Sequence, residues 1–158
     1  MALAGAGAGA QPTSDWERRH DELNWRELDV VLPAYPAAER LVEFYVSPSA
    51  SFRFFLDRSS LSVGGDGVVR YAMVARSPSG TENVSFEGIR CKTAHFKVYA
   101  FGRADRTWNE RPSDWKPLEL KSMNRQHQAL HREYLCPNFI PVESVAEAID
   151  ALSRSTRR

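Results

Sequence analysis

A chain of 158 residues with 42% hydrophobic content is long enough for one globular domain with a real core. Its formal net charge of +1 excludes a strong overall field for nucleic acid or an anionic membrane surface. The sequence holds no run of eighteen apolar residues, so no transmembrane segment is expected.

Residues 1–13 are mostly Ala and Gly, which bury little and cost much entropy to order. They are expected to be a disordered tail or the remnant of a secretory signal, with Ala8-Gly9-Ala10 as a small-x-small cleavage site. Ser14 and Glu17 form a capping box that opens a helix over about 15–23, with Trp16, His20 and Leu23 on one face. "ELDVVLPAYPAAER" then reads as a strand leading into a loop. From Leu41 the period becomes two, in "LVEFYV", "FRFFLD", "LSV", "VVRYAMVAR", "ENVSFEGIRC" and "HFKVYAFG". Asp66-Gly67 and Ser79-Gly80 are turn pairs, because glycine supplies the positive φ of a tight hairpin. Such short connections imply an antiparallel meander.

After Gly102 the pattern breaks. Residues 103–121 are polar, carry Trp108 and Trp115, and are expected to be an ordered loop over a face or edge of the sheet. In that loop Trp115 should be the deeper ring and Trp108 the more exposed. Met123, His127, Leu130 and Tyr134 then recur at helical spacing up to Pro137. A second capping box, Ser144 with Glu147, opens a last helix that buries Val145, Ile149 and Leu152. The expected fold is α+β: an antiparallel β-meander with N-terminal and C-terminal helices packed on it. One domain spans 14–153, and 154–158 form a disordered basic tail.

The two cysteines, Cys91 and Cys136, stand 45 positions apart. A metal site would want closely spaced ligands. A nucleophile would want a base nearby, and His95 lies about 13 Å along a strand at about 3.3 Å per residue. Two roles stay open, a buried core thiol or half of a disulfide. The exclusive pair and the position of each cysteine at the end of an element favour the second, worth roughly 4 kcal/mol in the chain-entropy model. His127 and His131 are one helical turn apart, as metal ligands would be, but His127 shares the apolar stripe and reads as a packed histidine with a hydrogen-bond partner. "KVYAF" half-matches an RNA-binding aromatic strand, with Val98 where that motif prefers glycine, so no nucleic-acid partner is expected. No catalytic carboxylate pair or phosphate-binding Gly-rich loop stands out. The most suggestive surface combines Trp108 and Trp115 with Arg103, Arg106 and Arg111; it would suit an anionic or glycan-bearing partner, or another protein.

The strings "NWRELDVVLPAYPAAERLVEFYV", "RFFLDRSSLSVGGDGVVRYAMV", "NVSFEGIRCKTAHFKVYAFGRADRTW" and "NRQHQALHREYLCPN" resemble the cryptic neisserial protein one-like family over residues 24–140. These are small bacterial cell-envelope proteins without an established activity. The resemblance implies export, a periplasmic address and a Cys91–Cys136 bridge, and it brings no catalytic residue. The absence of the usual full signal sequence leaves lipid anchoring open. A shorter likeness, in "FFLD-x-SS", "DGVV" and "FKVYAFG", is to the surface-adhesin protein E type of domain. The expectation is a non-enzymatic envelope binding or scaffolding module without a cofactor. The alternative is a small periplasmic hydrolase with scattered polar groups.

Overall fold

Alternating apolar positions from Leu41 to Gly102 need a surface on each side, and the chain supplies one from each of its ends. A computed structural model describes residues 14–119 and 125–157. Among them, α1 (Asp15–Asn24) precedes an extended segment, residues 25–37, and a 3-10 turn (Ala38–Arg40). Strands β1 (Leu41–Phe44), β2 (Arg53–Asp57), β3 (Ser62–Val63), β4 (Val68–Arg76), β5 (Glu82–Arg90) and β6 (His95–Gly102) follow, then β7 (Trp108–Glu110) and β8 (Lys116–Pro117). The C-terminal part holds α2 (Arg125–Ala129), which runs into a π-helical turn (Leu130–Leu135), and α3 (Val145–Ser155).

All pairings are antiparallel, in the order β1-β2-β4-β5-β6-β7, with β3 beside β4 and β8 beside β6. The two expected turn glycines have the required backbone, Gly67 at φ 78° and Gly80 at φ 89°. A register shift at Phe86/Glu87 gives β6 an extra residue, Tyr99, between the partners of those two positions.

One face of the sheet carries Val42, Phe44, Leu56, Val69, Tyr71, Met73, Ile89 and Phe96. It packs under Leu130, Tyr134 and Leu135 of the π-helical turn and Ala148 and Leu152 of α3. The other face carries a smaller core of Ala72, Phe86, Tyr99 and Ala100, covered by Val30, Leu32 and Trp108. The Cys91–Cys136 disulfide ties the end of β5 to the end of the π-helical turn, with Cα atoms 5.2 Å apart. Both half-cystines are buried in the larger core, so they fill it and staple it at once.

Four expectations change. The helix α1 does form, with both arms of the Ser14–Glu17 capping box, but it does not pack through its apolar face. Trp16 is 66% and Leu23 80% exposed, and α1 meets the sheet through Glu22, paired with Arg90 at 2.9 Å and Lys92 at 3.5 Å. The strand expected at the start of residues 27–40 takes no rung in the sheet; residues 25–37 lie across the smaller core as a strap and end in the 3-10 turn. The expected loop after Gly102 contains β7 and β8, which continue one edge of β6. Finally, α3 runs to Ser155, beyond the expected boundary at 153, because Ser155 is buried and its Oγ accepts the Tyr45 amide. The readings placed on residues 1–13, Lys121, Met123 and Arg158 lie outside the described residues.

Candidate ligand-binding cleft

The register that builds the sheet also builds a cleft at one end of its helix-bearing face. Met73, Ser85 and Phe101 are paired across β4, β5 and β6, and Phe54, Ala75 and Asn83 across β2, β4 and β5. These two adjacent rows floor a cleft of about 630 Å³. Its rim comes from Val46 and residues 49–52 after β1 and from Arg125 and Gln126 of α2. The walls are mainly apolar, with Phe52 37% and Phe101 49% exposed. Arg125 is the one charged side chain among the described lining residues, and its guanidinium donates to Ser49 Oγ. This size, and an apolar lining with a few polar groups at the edge, are those of small-molecule sites.

Behind the cleft wall lies a buried polar cluster. Ser85 Oγ donates to Glu87 Oε1 at 2.8 Å, and Tyr71 Oη donates to Oε2 at 3.0 Å. His127 Nε2 lies 2.7 Å from the same Oε2 and carries the proton of that bond, since a carboxylate can only accept. Burial alone would raise the Glu87 carboxyl, but His127 and the two hydroxyls override it and hold the group below its ordinary 4.5. Burial, followed by the Glu87 charge, pushes the Tyr71 phenol well above its ordinary range. The Ser85 hydroxyl therefore faces a carboxylate that already binds the imidazole, which makes the cluster a support for the cleft floor.

His127 is packed as its helical position implied, stacked on Phe96 with ring centroids 4.3 Å apart. His131, one turn on, donates instead to the Cys91 carbonyl at 3.0 Å. The two imidazoles thus serve different partners. Among the described residues no three His, Cys, Asp or Glu side chains are grouped to hold a metal ion.

The arginine and tryptophan residues singled out in the sequence are divided between two places. Arg103 and Arg106 border a polar cleft of about 340 Å³ together with Tyr35 and Arg76. Arg106 donates to the Pro36 carbonyl and stands 5.1 Å over the Tyr35 ring. Trp108 packs 5.1 Å from Tyr35 and 6.3 Å from Phe86, and donates Nε1 to the Pro33 carbonyl. Gly102 lets Tyr35 approach, since a Cβ there would collide with its hydroxyl. Arg111 is exposed, and its amide donates to the Tyr99 carbonyl. Trp115 lies beside Trp25 and Lys97 and donates Nε1 to Glu27. Both tryptophans are half-buried, so the expected contrast between a deep Trp115 and an exposed Trp108 is not found. Each ring pins the strap.

Beneath the strap, Glu27 accepts from Tyr99 at 2.6 Å and Lys97 at 2.9 Å, while Arg70 pairs with Asp66 at 2.7 Å. Burial raises the Tyr99 phenol, and its bond to Glu27 adds to that. Tyr99 is therefore an interior group of the "KVYAF" strand, covered by the strap.

The cleft itself was not legible in the sequence. Phe54, Ser85 and Phe101 lie on alternating strands whose pairing brings them together, and Arg125 belongs to a separate helix. One signal was present: Glu87 falls between Ser85 and Ile89 on the core-facing period, where a carboxylate requires partners.

The fold and cleft define an α+β protein with a strapped antiparallel sheet and an apolar cavity under a helical edge. Residues 20–153 match the model of the CNP1-like family, and the chain belongs to that family. It is 26% identical over 105 residues to "Cryptic neisserial protein 1" of Neisseria gonorrhoeae (strain ATCC 700825 / FA 1090), a match covering 58% of this chain and 52% of the relative. The chain thus spans about half the length of the curated relative it matches. No solved structure matches it. No helix of the described residues is long and apolar enough to cross a membrane.

Proposed function

We propose that this protein is an exported, non-enzymatic module of the cell envelope that holds an apolar ligand in the cleft between β2, β4, β5, β6 and α2. The observation that carries this reading is the composition of the cleft: rings and aliphatic side chains on the floor, with Arg125 the single charge among the described lining residues. Transfer of apolar surface from water would drive binding there. The Cys91–Cys136 bridge supports the exported address, because disulfides persist where thiols are not kept reduced. The surface expected around Arg103, Arg106, Trp108, Arg111 and Trp115 is, in this reading, a secondary contact region for an anionic or glycan-bearing envelope component or a partner protein.

The test is titration of the full chain with N-phenyl-1-naphthylamine, an uncharged apolar fluorescent reporter. One saturable site is expected, and Phe101→Asp should remove it without changing thermal unfolding. Absence of a saturable site, or a site indifferent to Phe101→Asp, overturns the cleft as the functional site. Cell fractionation followed by thiol labelling decides the compartment: material recovered only from the cytoplasm with two free thiols overturns export.

A further inference from the structure

We infer that the ligand of the cleft is a single-chain acyl carboxylate, with its hydrocarbon over Phe54, Met73 and Phe101 and its carboxylate at Arg125. This rests on the cleft being the binding site, and it adds the ligand's chemistry from two observations.

The first concerns hydrogen bonds. The floor belongs to β2, β4, β5 and β6, and each of these strands has neighbours on both sides. Their amides and carbonyls are therefore taken up in the sheet, so an extended peptide could not add as a further strand and would bury its own polar backbone unpaired. A hydrocarbon chain has no such groups to satisfy. It takes from the floor only the contact that the floor can give.

The second concerns charge. Arg125 lies on the rim beside Ser49 and Gln126, and no carboxylate is among the described lining residues. Ser49 Oγ accepts one arm of the guanidinium, which ties it to the segment after β1. A planar guanidinium with hydroxyl and amide groups beside it is suited to bind a carboxylate through paired hydrogen bonds. An apolar interior with one cation at its entrance is complementary to an apolar chain with one anion at its end.

The experiment is calorimetric titration of the full chain at pH 8 with decanoate, dodecanoate and tetradecanoate, each below its micelle concentration, and with the matching alcohols. Affinity should rise about threefold to fourfold per methylene until the cleft is filled. Each carboxylate should bind about threefold to tenfold tighter than its alcohol, and Arg125→Gln should abolish that difference while leaving the alcohols unchanged. Ala75→Met, which occupies part of the floor, should bring the plateau to a shorter chain while preserving the preference for carboxylate. Alcohols and carboxylates that bind alike, with no effect of Arg125→Gln, overturn the anionic class while leaving the cleft as a site. Preference for an apolar peptide with a free C-terminal carboxylate overturns the acyl class. If neither series binds and the fluorescent reporter also fails, the cleft itself is lost as the site.

Discussion

Glu87 shows what a single side chain can require of its surroundings. Its carboxyl is fully enclosed, yet ionisation is favoured because His127, Ser85 and Tyr71 converge on its two oxygens. A carboxyl held below its ordinary value contributes stability that is complete above that value and is lost as pH falls through the lowered one. The protein should therefore lose stability on acidification below about pH 4.5, and Glu87→Gln should flatten that limb in urea-unfolding curves taken from pH 7 to 3. Glu27 and Asp66, also lowered, would retain part of the slope. His127→Ala strands a buried carboxylate and should cost about 3–5 kcal/mol, whereas the double change Glu87→Leu, His127→Leu should recover much of that loss. A single-variant cost below about 1 kcal/mol would show that the pair is not a structural support. The bridge is tested in the same way. No thiol should react in the denatured, non-reduced protein, and Cys91→Ser, Cys136→Ser should cost roughly 4 kcal/mol for a span of 45 residues.

Elements differ in how well the sequence announces them. β4 and β5 were legible because nine consecutive residues in each can show a period, and the Asp-Gly and Ser-Gly turns bound them. Both N-caps were legible too. The Ser144 hydroxyl accepts the Glu147 amide, although the Glu147 carboxylate reaches the Glu143 amide and leaves that capping box half made. β7 and β8, three and two residues long, are shorter than any period, and only pairing with β6 makes them strands. The strap eluded pattern reading because its hydrogen bonds go to side chains and loops. The cleft eluded it because its floor lies across strands, not along one. The Trp108 and Trp115 rings, both half-buried and both hydrogen-bonded, should be protected from iodide to a similar degree in single-tryptophan variants; a ratio of quenching constants above about three would restore the expected asymmetry. The helix α1 buries no residue, so a chain beginning at Trp25 should lose no more than about 2 kcal/mol, from the exposed Glu22–Lys92 pair and the partly buried Glu22–Arg90 pair. A larger loss would mean that α1 is packed in solution.

At the scale of the molecule, the sheet is a middle layer with two unlike covers. The helical cover is bonded covalently to the residue that follows β5, and cover and sheet together form a core of eighteen buried residues among those described. The strap seals four, and what holds it is a short series of hydrogen bonds: Trp25 to the Asp66 carbonyl, Leu28 to the Asp66 carboxylate, Tyr99 to Glu27, and Arg106 and Trp108 to the carbonyls of Pro36 and Pro33. Of the N-terminal and C-terminal helices expected to pack on the sheet, only the C-terminal ones form a layer of it, and the N-terminal part of the chain covers the other face as the strap. A strap can cover this face because small residues, Ala72 and Ala100, lie in the middle of it and the chain needs little depth there.

Those strap bonds join residues between 38 and 75 positions apart, and the strap is always the earlier partner. A chain that emerges from its N-terminus makes these residues before the surface they will cover exists. Val30 and Leu32 must wait, unprotected, until Phe86, Tyr99 and Trp108 have been synthesised and joined. Closing such long separations is slow compared with forming the β4–β5 hairpin. Strands that pair before the strap closes would leave the face of Ala72, Phe86, Tyr99 and Ala100 bare. A partner that meets the chain at that stage encounters a surface the finished molecule never displays.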